Sequence, residues 1–132
     1  SQLDRFQSTY QWTTGETDRA SVVGIGIKKS NGATKTFDAA RGTLLVWEPM
    51  AKNAGMQGIA VVVNPEDLQG EREDKLNHLI LARCRPAQTI VYWAGFCWDK
   101  AGRITTAEDW KGYVADFAQG LASPIEVTVT GN

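Results

Sequence analysis

Most hydrophobic positions in this chain alternate with polar ones, the period of two residues that is typical of half-buried β-strands. Two segments are instead apolar at consecutive positions, which indicates strands that are buried on both faces. The predicted strands are Thr9–Thr14, Val23–Ile27, Thr34–Phe37, Thr43–Glu48, Gly58–Val63, Asn77–Arg85, Gln88–Trp98 and Ile125–Thr130.

Turn residues indicate how these strands are connected. Asn31-Gly32 predicts a tight hairpin turn, because both residues tolerate positive φ. Only Arg85-Pro86-Ala87 separates Asn77–Arg85 from Gln88–Trp98, a link too short for a parallel crossover, so these two strands are predicted to form an antiparallel hairpin. Glu66–Lys75 is densely charged without clear periodicity and is predicted to be a solvated loop.

One helix is predicted over residues 107–121. Thr106 and Asp109 have the spacing of a capping box, and apolar residues recur on one helical face. That stripe consists of Trp110, Tyr113, Val114, Phe117 and Leu121. Gly120 and Pro124 predict the end of the helix before the last strand.

The order of many strands, one helix and a final strand predicts a mostly β fold. This order of elements agrees best with an antiparallel β-sandwich, or an open curved sheet, that has an amphipathic helix along an edge or across one end. The 132 residues contain no internal repeat or linker-like tract, so residues 1–132 are predicted to form one β-rich unit.

Composition excludes several classes of protein. Fourteen Lys and Arg against 15 Asp and Glu argue against nucleic-acid binding. The longest apolar runs, Thr43–Trp47 and Ile59–Val63, are too short to cross a bilayer, and no membrane partner is predicted. The first eleven residues lack the features of a signal peptide.

The motifs of common cofactor and metal sites are also missing from the sequence. Cys84 and Cys97 lie outside any zinc-ligand spacing, and they are predicted to be free, buried thiols on neighbouring strands. The acidic run from Glu66 to Asp74 lacks the spacing of a calcium loop. We therefore expect no cofactor and no metal.

Aromatic residues are unusually dense in the second half of the chain. In the strand that ends at Trp98, Tyr92 and Phe96 share the Trp98 face, whereas Trp93 lies on the opposite face. Trp93 either packs under the helix or lines a shallow groove beside Gly95 and Cys97, and both alternatives remain open.

Polar residues at strand ends are the candidate reactive groups. Glu48 follows Trp47 at one strand end, and Asp99 and Lys100 follow Trp98 at another. His78 lies near the start of a strand and is a candidate general base, although each of these residues also has an ordinary structural or surface interpretation.

The second half resembles the bacterial family called domain of unknown function 4861. The stretches that carry the resemblance are Asn77–Leu79, Ile90–Gly102, Ala107–Trp110 and Leu121–Ile125, together with Trp47–Pro49 and Gly58–Val62. The resemblance implies a large sandwich of the galactose-mutarotase type, of which this chain is the C-terminal third. It also implies a periplasmic or secreted location and a role in using pectin or other uronic-acid polysaccharides. A remaining N-terminal portion, present as a separate chain, is then a possible partner.

Two hypotheses of function follow. The first is an enzyme that acts on acidic oligosaccharides by lyase, dehydratase or hydrolase chemistry, with His78 and Glu48 as catalytic residues and Lys100 or Arg83 as the cation. The second is a non-catalytic carbohydrate-binding or accessory sandwich. The expected substrate-binding residues are Trp47, Trp93, Trp98, Asp99 and Lys100.

Overall fold

The computed structural model describes residues 1–11, 13, 20–125 and 127–131. It contains eight strands and one α-helix in this part of the chain, in the order β1 (Leu3–Thr9), β2 (Ser21–Lys28), β3 (Thr34–Asp38), β4 (Thr43–Pro49), β5 (Met56–Val63), β6 (Leu68–Glu73), β7 (Asn77–Cys84), β8 (Thr89–Trp98) and α1 (Ala107–Ala122).

The strands form two antiparallel sheets. The larger sheet has the order β1-β8-β5-β4-β3, and the smaller sheet has the order β2-β7-β6. Helix α1 packs on one face of the larger sheet and the smaller sheet packs on its other face. The predicted antiparallel sandwich with a C-terminal amphipathic helix is therefore confirmed.

This layered arrangement explains why β4 is apolar at consecutive positions. Leu45 and Trp47 face the helix, whereas Leu44 and Val46 face the smaller sheet. β5 divides its side chains in the same way, with Val62 in the helix-side core. A strand that is covered on both faces has no solvent-facing side and therefore loses the alternation of polar residues.

Helix α1 forms as its local sequence predicts. The Thr106 side chain accepts a hydrogen bond from the Asp109 N–H at 3.1 Å and caps the first turn. Trp110 and Val114 are fully buried, and Phe117 packs edge-on against Trp93 with ring centroids 6.2 Å apart. The indole of Trp93 thus lies under the helix, one of the two alternatives left open by the sequence.

The predicted hairpin between the strands now called β7 and β8 is wrong. β7 lies between β2 and β6 in the smaller sheet, and β8 lies between β1 and β5 in the larger one. The link at Pro86 instead carries the chain from one sheet to the other, with Ala87 at φ 59° and its N–H donating to the Tyr10 carbonyl. Cys84 and Cys97 are free and buried as predicted, but in different sheets.

The predicted hairpin at Asn31-Gly32 is also wrong, because β2 lies in the smaller sheet and β3 in the larger one, although Gly32 does turn with a positive φ of 79°. Three other elements differ from the prediction. β6 occupies most of the predicted loop, and its charged side chains are accommodated because it is an edge strand. β1 ends at Thr9, where the first strand was predicted to begin; Trp12 and Thr14 lie outside the described residues. Beyond α1, the described residues up to 131 form no strand, because no neighbouring strand is there to pair with them.

Candidate functional site

Several of the sequence-predicted site residues meet at one end of the sandwich, where β4 and β8 finish and β5 begins. In the larger sheet, Glu48 of β4 lies opposite Gln57 of β5, and Gln57 lies opposite Trp98 of β8. Residues that are directly opposite on paired strands point to the same face. The three side chains therefore form one row on the face that is turned toward the smaller sheet, and we call this region the Trp98 end.

Glu48 is a buried carboxylate, with 5% of its surface exposed. The Ser30 hydroxyl donates to Oε2 and the Gln57 amide donates to Oε1, each at 2.7 Å. Hydrogen bonds of this kind satisfy a charge that would be costly to bury alone. They also fix the orientation of Ser30 and Gln57 at the Trp98 end.

Trp98 remains 40% exposed, although its polar atom is satisfied inside the protein. Its Nε1–H donates to the Ala54 carbonyl at 2.9 Å. This bond fixes the orientation of the indole while leaving part of the ring accessible. A fixed, accessible indole is a suitable surface for the apolar face of a sugar ring.

The loop that connects β4 and β5 lies against Trp98 and Asp99. Lys52, Asn53 and Gly55 have positive φ values of 57°, 55° and 108°. A Cβ at Gly55 would collide with Oδ1 of Asp99, so this close approach requires glycine. Asp99 Oδ1 is buried and, among the described residues, has no hydrogen-bond partner.

A second polar cluster joins the edges of the two sheets. Glu73 of β6 forms ion pairs with Lys29 at 2.9 Å and with Lys35 of β3 at 3.2 Å, and its Oε1 lies 2.9 Å from His78 Nδ1. Glu71 accepts a hydrogen bond from Lys35 at 2.7 Å. The hydrogen bonds from Lys29, Lys35 and His78 lower the pKa of Glu73 to about 2, and the hydrogen bonds that Lys35 donates to Glu71 and Glu73 raise the pKa of Lys35.

The two clusters are neighbours because Lys29, which contacts Glu73, directly precedes Ser30, which contacts Glu48. Consecutive Cα atoms are about 3.8 Å apart. The Trp98 end therefore combines an exposed indole with a hydroxyl, an amide and a buried carboxylate, and the imidazole of His78 belongs to the neighbouring Glu73 cluster. These groups can stack on a sugar, exchange hydrogen bonds with its hydroxyls and hold a proton.

Two of the predicted binding residues lie elsewhere. Trp47 is adjacent to Glu48 in sequence, but its side chain is buried on the opposite face of the sheet, in the core under α1. Trp93 lines a groove of about 580 Å³ with Arg41, Pro65 and Leu121 near the C-terminal end of the helix. The alternation of β-strand side chains separates Trp47 from Glu48.

Lys100 and Arg83 were the two candidates for the cation. Lys100 is exposed in the turn that follows Trp98, at the Trp98 end. Arg83 lies near the other end of β7, in a cleft of about 310 Å³ with Arg85 and Glu66. The structure therefore places Lys100, and not Arg83, beside Trp98.

Sequence reasoning missed Ser30, Gln57, Lys29, Lys35 and Glu73. The turn that contains Ser30 was recognised, but its hydroxyl is significant only because the turn folds against β4. Glu73 belonged to a segment that was predicted to be a loop, and its partner His78 lies five residues later. The sequence offered one signal for this pair: the acidic segment that contains Glu73 ends only a few residues before the lone histidine, His78.

Within the described ranges, no cluster of three or more His, Cys, Asp or Glu side chains has an arrangement that could hold a metal ion. The same part of the chain contains no helix that is both long and apolar enough to span a membrane.

Comparison with known proteins identifies one family and one similar protein. The model of the family described as Domain of unknown function (DUF4861) matches residues 1–127. "Uncharacterized protein P7" of Formosa agariphila is 35% identical over 40 residues, which are 30% of this chain and 10% of that protein. No solved structure matches.

Proposed function

Because this chain belongs to the DUF4861 family, whose description specifies no activity, we propose a function from its geometry: it binds acidic, uronic-acid-containing oligosaccharides at the Trp98 end. The observation that carries this proposal is the exposed indole of Trp98, in one row with Gln57 and Glu48. Sugar recognition combines an apolar contact with a few directed hydrogen bonds, and this row offers both.

The charged residues around the row favour an acidic sugar over a neutral one. Lys52 and Lys100 are exposed in the two turns next to Trp98. Neither lysine forms an ion pair with another described residue, in contrast to Lys29 and Lys35. An ammonium group that is not already paired is available to a uronate carboxylate.

The wider setting is proposed from the family resemblance. It comprises a periplasmic or secreted location, a role in the use of pectin or similar polysaccharides, and a larger sandwich of the galactose-mutarotase type to which this chain contributes the C-terminal third. The match to the Formosa protein covers only a tenth of that protein's length.

The binding proposal is tested by calorimetric titration with oligogalacturonates and with the same oligosaccharides after reduction of their carboxyl groups. Trp98→Ala is expected to weaken binding of both probes about tenfold, which corresponds to about 1.4 kcal/mol. Lys52→Gln and Lys100→Gln should weaken binding of the acidic probe alone. Phe6→Ala, which removes an exposed ring from β1, is the matched control.

Unchanged affinity in Trp98→Ala would place binding outside the Trp98 end. Equal affinity for the acidic and reduced oligosaccharides would contradict the assignment to acidic sugars.

A catalytic function is the second candidate, and one contact favours it. Glu73 Oε1 lies 2.9 Å from His78 Nδ1, the arrangement in which a carboxylate orients an imidazole so that its other nitrogen can exchange a proton. Glu48, whose two oxygens already accept hydrogen bonds, would then position Ser30 and Gln57. Asp99, which Gly55 approaches closely, supports the loop between β4 and β5 under both the binding and the catalytic candidate.

The catalytic candidate is tested by ultraviolet absorbance and mass analysis of oligogalacturonates incubated with the protein. If the chain is a lyase, unsaturated products form, and His78→Ala abolishes them without weakening binding, because a base acts chiefly in the transition state. The absence of both unsaturated and shortened products would leave binding as the function of this chain.

A further inference from the structure

The groove beside Trp93 is separate from the Trp98 end. It lies where β5 ends, whereas the Trp98 end lies where β5 begins. Trp93 and Trp98 are an odd number of positions apart in β8, so their side chains are on opposite faces of the larger sheet. The volume of the groove is about 580 Å³, within the range of roughly 300 to 1,000 Å³ that is usual for small-molecule sites.

One wall of this groove is made of two turns that are fixed against each other. Gly42, with a φ of 67°, lies so close to Val63 that a Cβ at position 42 would collide with the Val63 carbonyl oxygen. The Val63 N–H donates to the Gly42 carbonyl at 2.8 Å, and the Asn64 side chain accepts from the Glu66 N–H at 3.1 Å. The turn that carries Arg41 is therefore held against the end of β5.

The guanidinium of Arg41 is fixed in position but retains free donors. Its Nη1 donates to Asp38 Oδ2 at 2.7 Å, and this hydrogen bond lowers the pKa of the Asp38 carboxyl. Nε and Nη2 have no hydrogen-bond partner in the part of the chain that the structure describes, and Arg41 forms no ion pair there with Glu66. A guanidinium with N–H groups to spare is suited to bind a carboxylate.

The rest of the groove is mainly apolar. Only Arg41, Asn64 and Glu66 among its lining residues are polar, and the others, which include Trp93 and Leu121, are aromatic or aliphatic. The hydroxyls of a sugar would lack partners here, whereas an apolar body would bury its surface. The last turn of α1 has no basic residue and carries the partial negative charge of a helix C-terminus, so a ligand carboxylate belongs beside Arg41.

The described residues beyond α1 leave the groove open. All of them are exposed, and Ile125, Val127 and Val129 are 92%, 82% and 87% exposed. An isoleucine or valine side chain that occupied an apolar groove would instead be largely buried. The groove is therefore accessible to a small molecule within the structure as described.

We propose that this groove binds a small carboxylate whose body is an aromatic ring or a short aliphatic chain. The carboxylate accepts hydrogen bonds from the free donors of Arg41, and the body packs against Trp93 and Leu121. The combination of one fixed cation with an apolar surface selects a ligand that has both parts. This site is independent of the sugar site proposed at the Trp98 end.

The proposal is tested by calorimetric titration with phenylpropionate and with phenylpropanamide, which has the same body without the charge. Wild type is expected to bind the acid with a Kd of about 1 mM or tighter, and the amide about tenfold more weakly. Arg41→Gln should bind the acid only as weakly as the amide. Arg72→Gln, which removes an exposed arginine from the edge strand β6, is the matched control and should bind both probes like wild type.

A second pair of variants probes the helix side of the groove at about 0.15 M salt, where distant charges are screened. Leu121→Asp places a carboxylate in the groove and is expected to weaken binding of phenylpropionate more than about tenfold. Gln119→Asp adds the same charge at an exposed helix position outside the groove and should bind like wild type.

Three results would overturn the proposal. The first is equal affinity of wild type for the acid and the amide, or binding of neither probe. The second is unchanged affinity for the acid in Arg41→Gln or in Leu121→Asp, while circular dichroism shows that the variant is folded. The third is association of wild type at up to about 100 µM that Leu121→Asp abolishes, since the groove would then be an interface between copies of the chain.

Discussion

The indole of Trp110 occupies the space in which a side chain at position 58 would lie. A Cβ built on Gly58 would stand 2.6 Å from the Trp110 ring, and the ring is fully buried. Its Nε1–H points to the Ile59 carbonyl at 3.4 Å. The central strand β5 and the helix therefore approach each other through a glycine, and this contact positions α1 on the larger sheet.

Gly58→Ala is expected to destabilise the protein by about 1 to 3 kcal/mol, because the added methyl group displaces the Trp110 ring from a packed core. Gly112→Ala is the matched control: it lies on the helix with no atom within 4 Å of its Cβ position, and it should stabilise the protein by about 1 kcal/mol. Chemical denaturation measures both. If both substitutions changed the free energy of unfolding equally, Gly58 would not be required for the close approach of β5 and α1.

Phe117→Ala is expected to cost about 2 kcal/mol in free energy of unfolding. A fully buried ring costs about 3 to 5 kcal/mol, but Phe117 is only half-buried and its main contact is the edge-on pair with Trp93. The exposed residue Gln119, changed to Ala, provides the baseline. A loss below about 1 kcal/mol would show that the Trp93 contact contributes little in solution.

The Glu73 cluster makes stability depend on acidity. Hydrogen bonds, first from Lys29 and then from Lys35 and His78, hold the pKa of Glu73 at about 2 in the folded protein, against 4.5 ordinarily. A lowered folded-state pKa stabilises the fold above about pH 4.5, and this contribution disappears as the pH falls from there to about 2. Glu73→Gln should therefore be less stable than wild type at neutral pH, and the difference should shrink over that range.

Urea denaturation at a series of pH values measures this effect. Glu66→Gln is the control, since Glu66 is exposed and forms no ion pair with another described residue. A wild-type-to-Glu73→Gln difference that stays constant with pH would rule out the linkage.

Both cysteines are expected to be unreactive in the folded protein and free after unfolding. Burial raises the pKa of the Cys84 and Cys97 thiols, which reduces the fraction of reactive thiolate. Titration with a thiol reagent should therefore be slow under native conditions and should find two thiols in denaturant without reductant. Finding none would mean that a disulfide joins the two sheets.

Local patterns determined the helix and most of the strands. Thr106 and Asp109 lie within one turn of each other, and the stripe from Trp110 to Phe117 follows from helical periodicity. The apolar runs of β4 and β5 likewise predict strands that are covered on both faces, as the structure shows. Each of these features depends on residues that are close in sequence, so the sequence by itself was sufficient.

The partners of each strand were decided only in the tertiary structure. Three residues separate Cys84 from Gln88, yet the chain changes sheets there, because β7 pairs with β2 and β6 and β8 pairs with β1 and β5 rather than with each other. Long-range packing likewise brings Ser30 to Glu48 and Lys35 to Glu73. Strand pairing depends on the burial that all layers achieve together, and no local pattern encodes that sum.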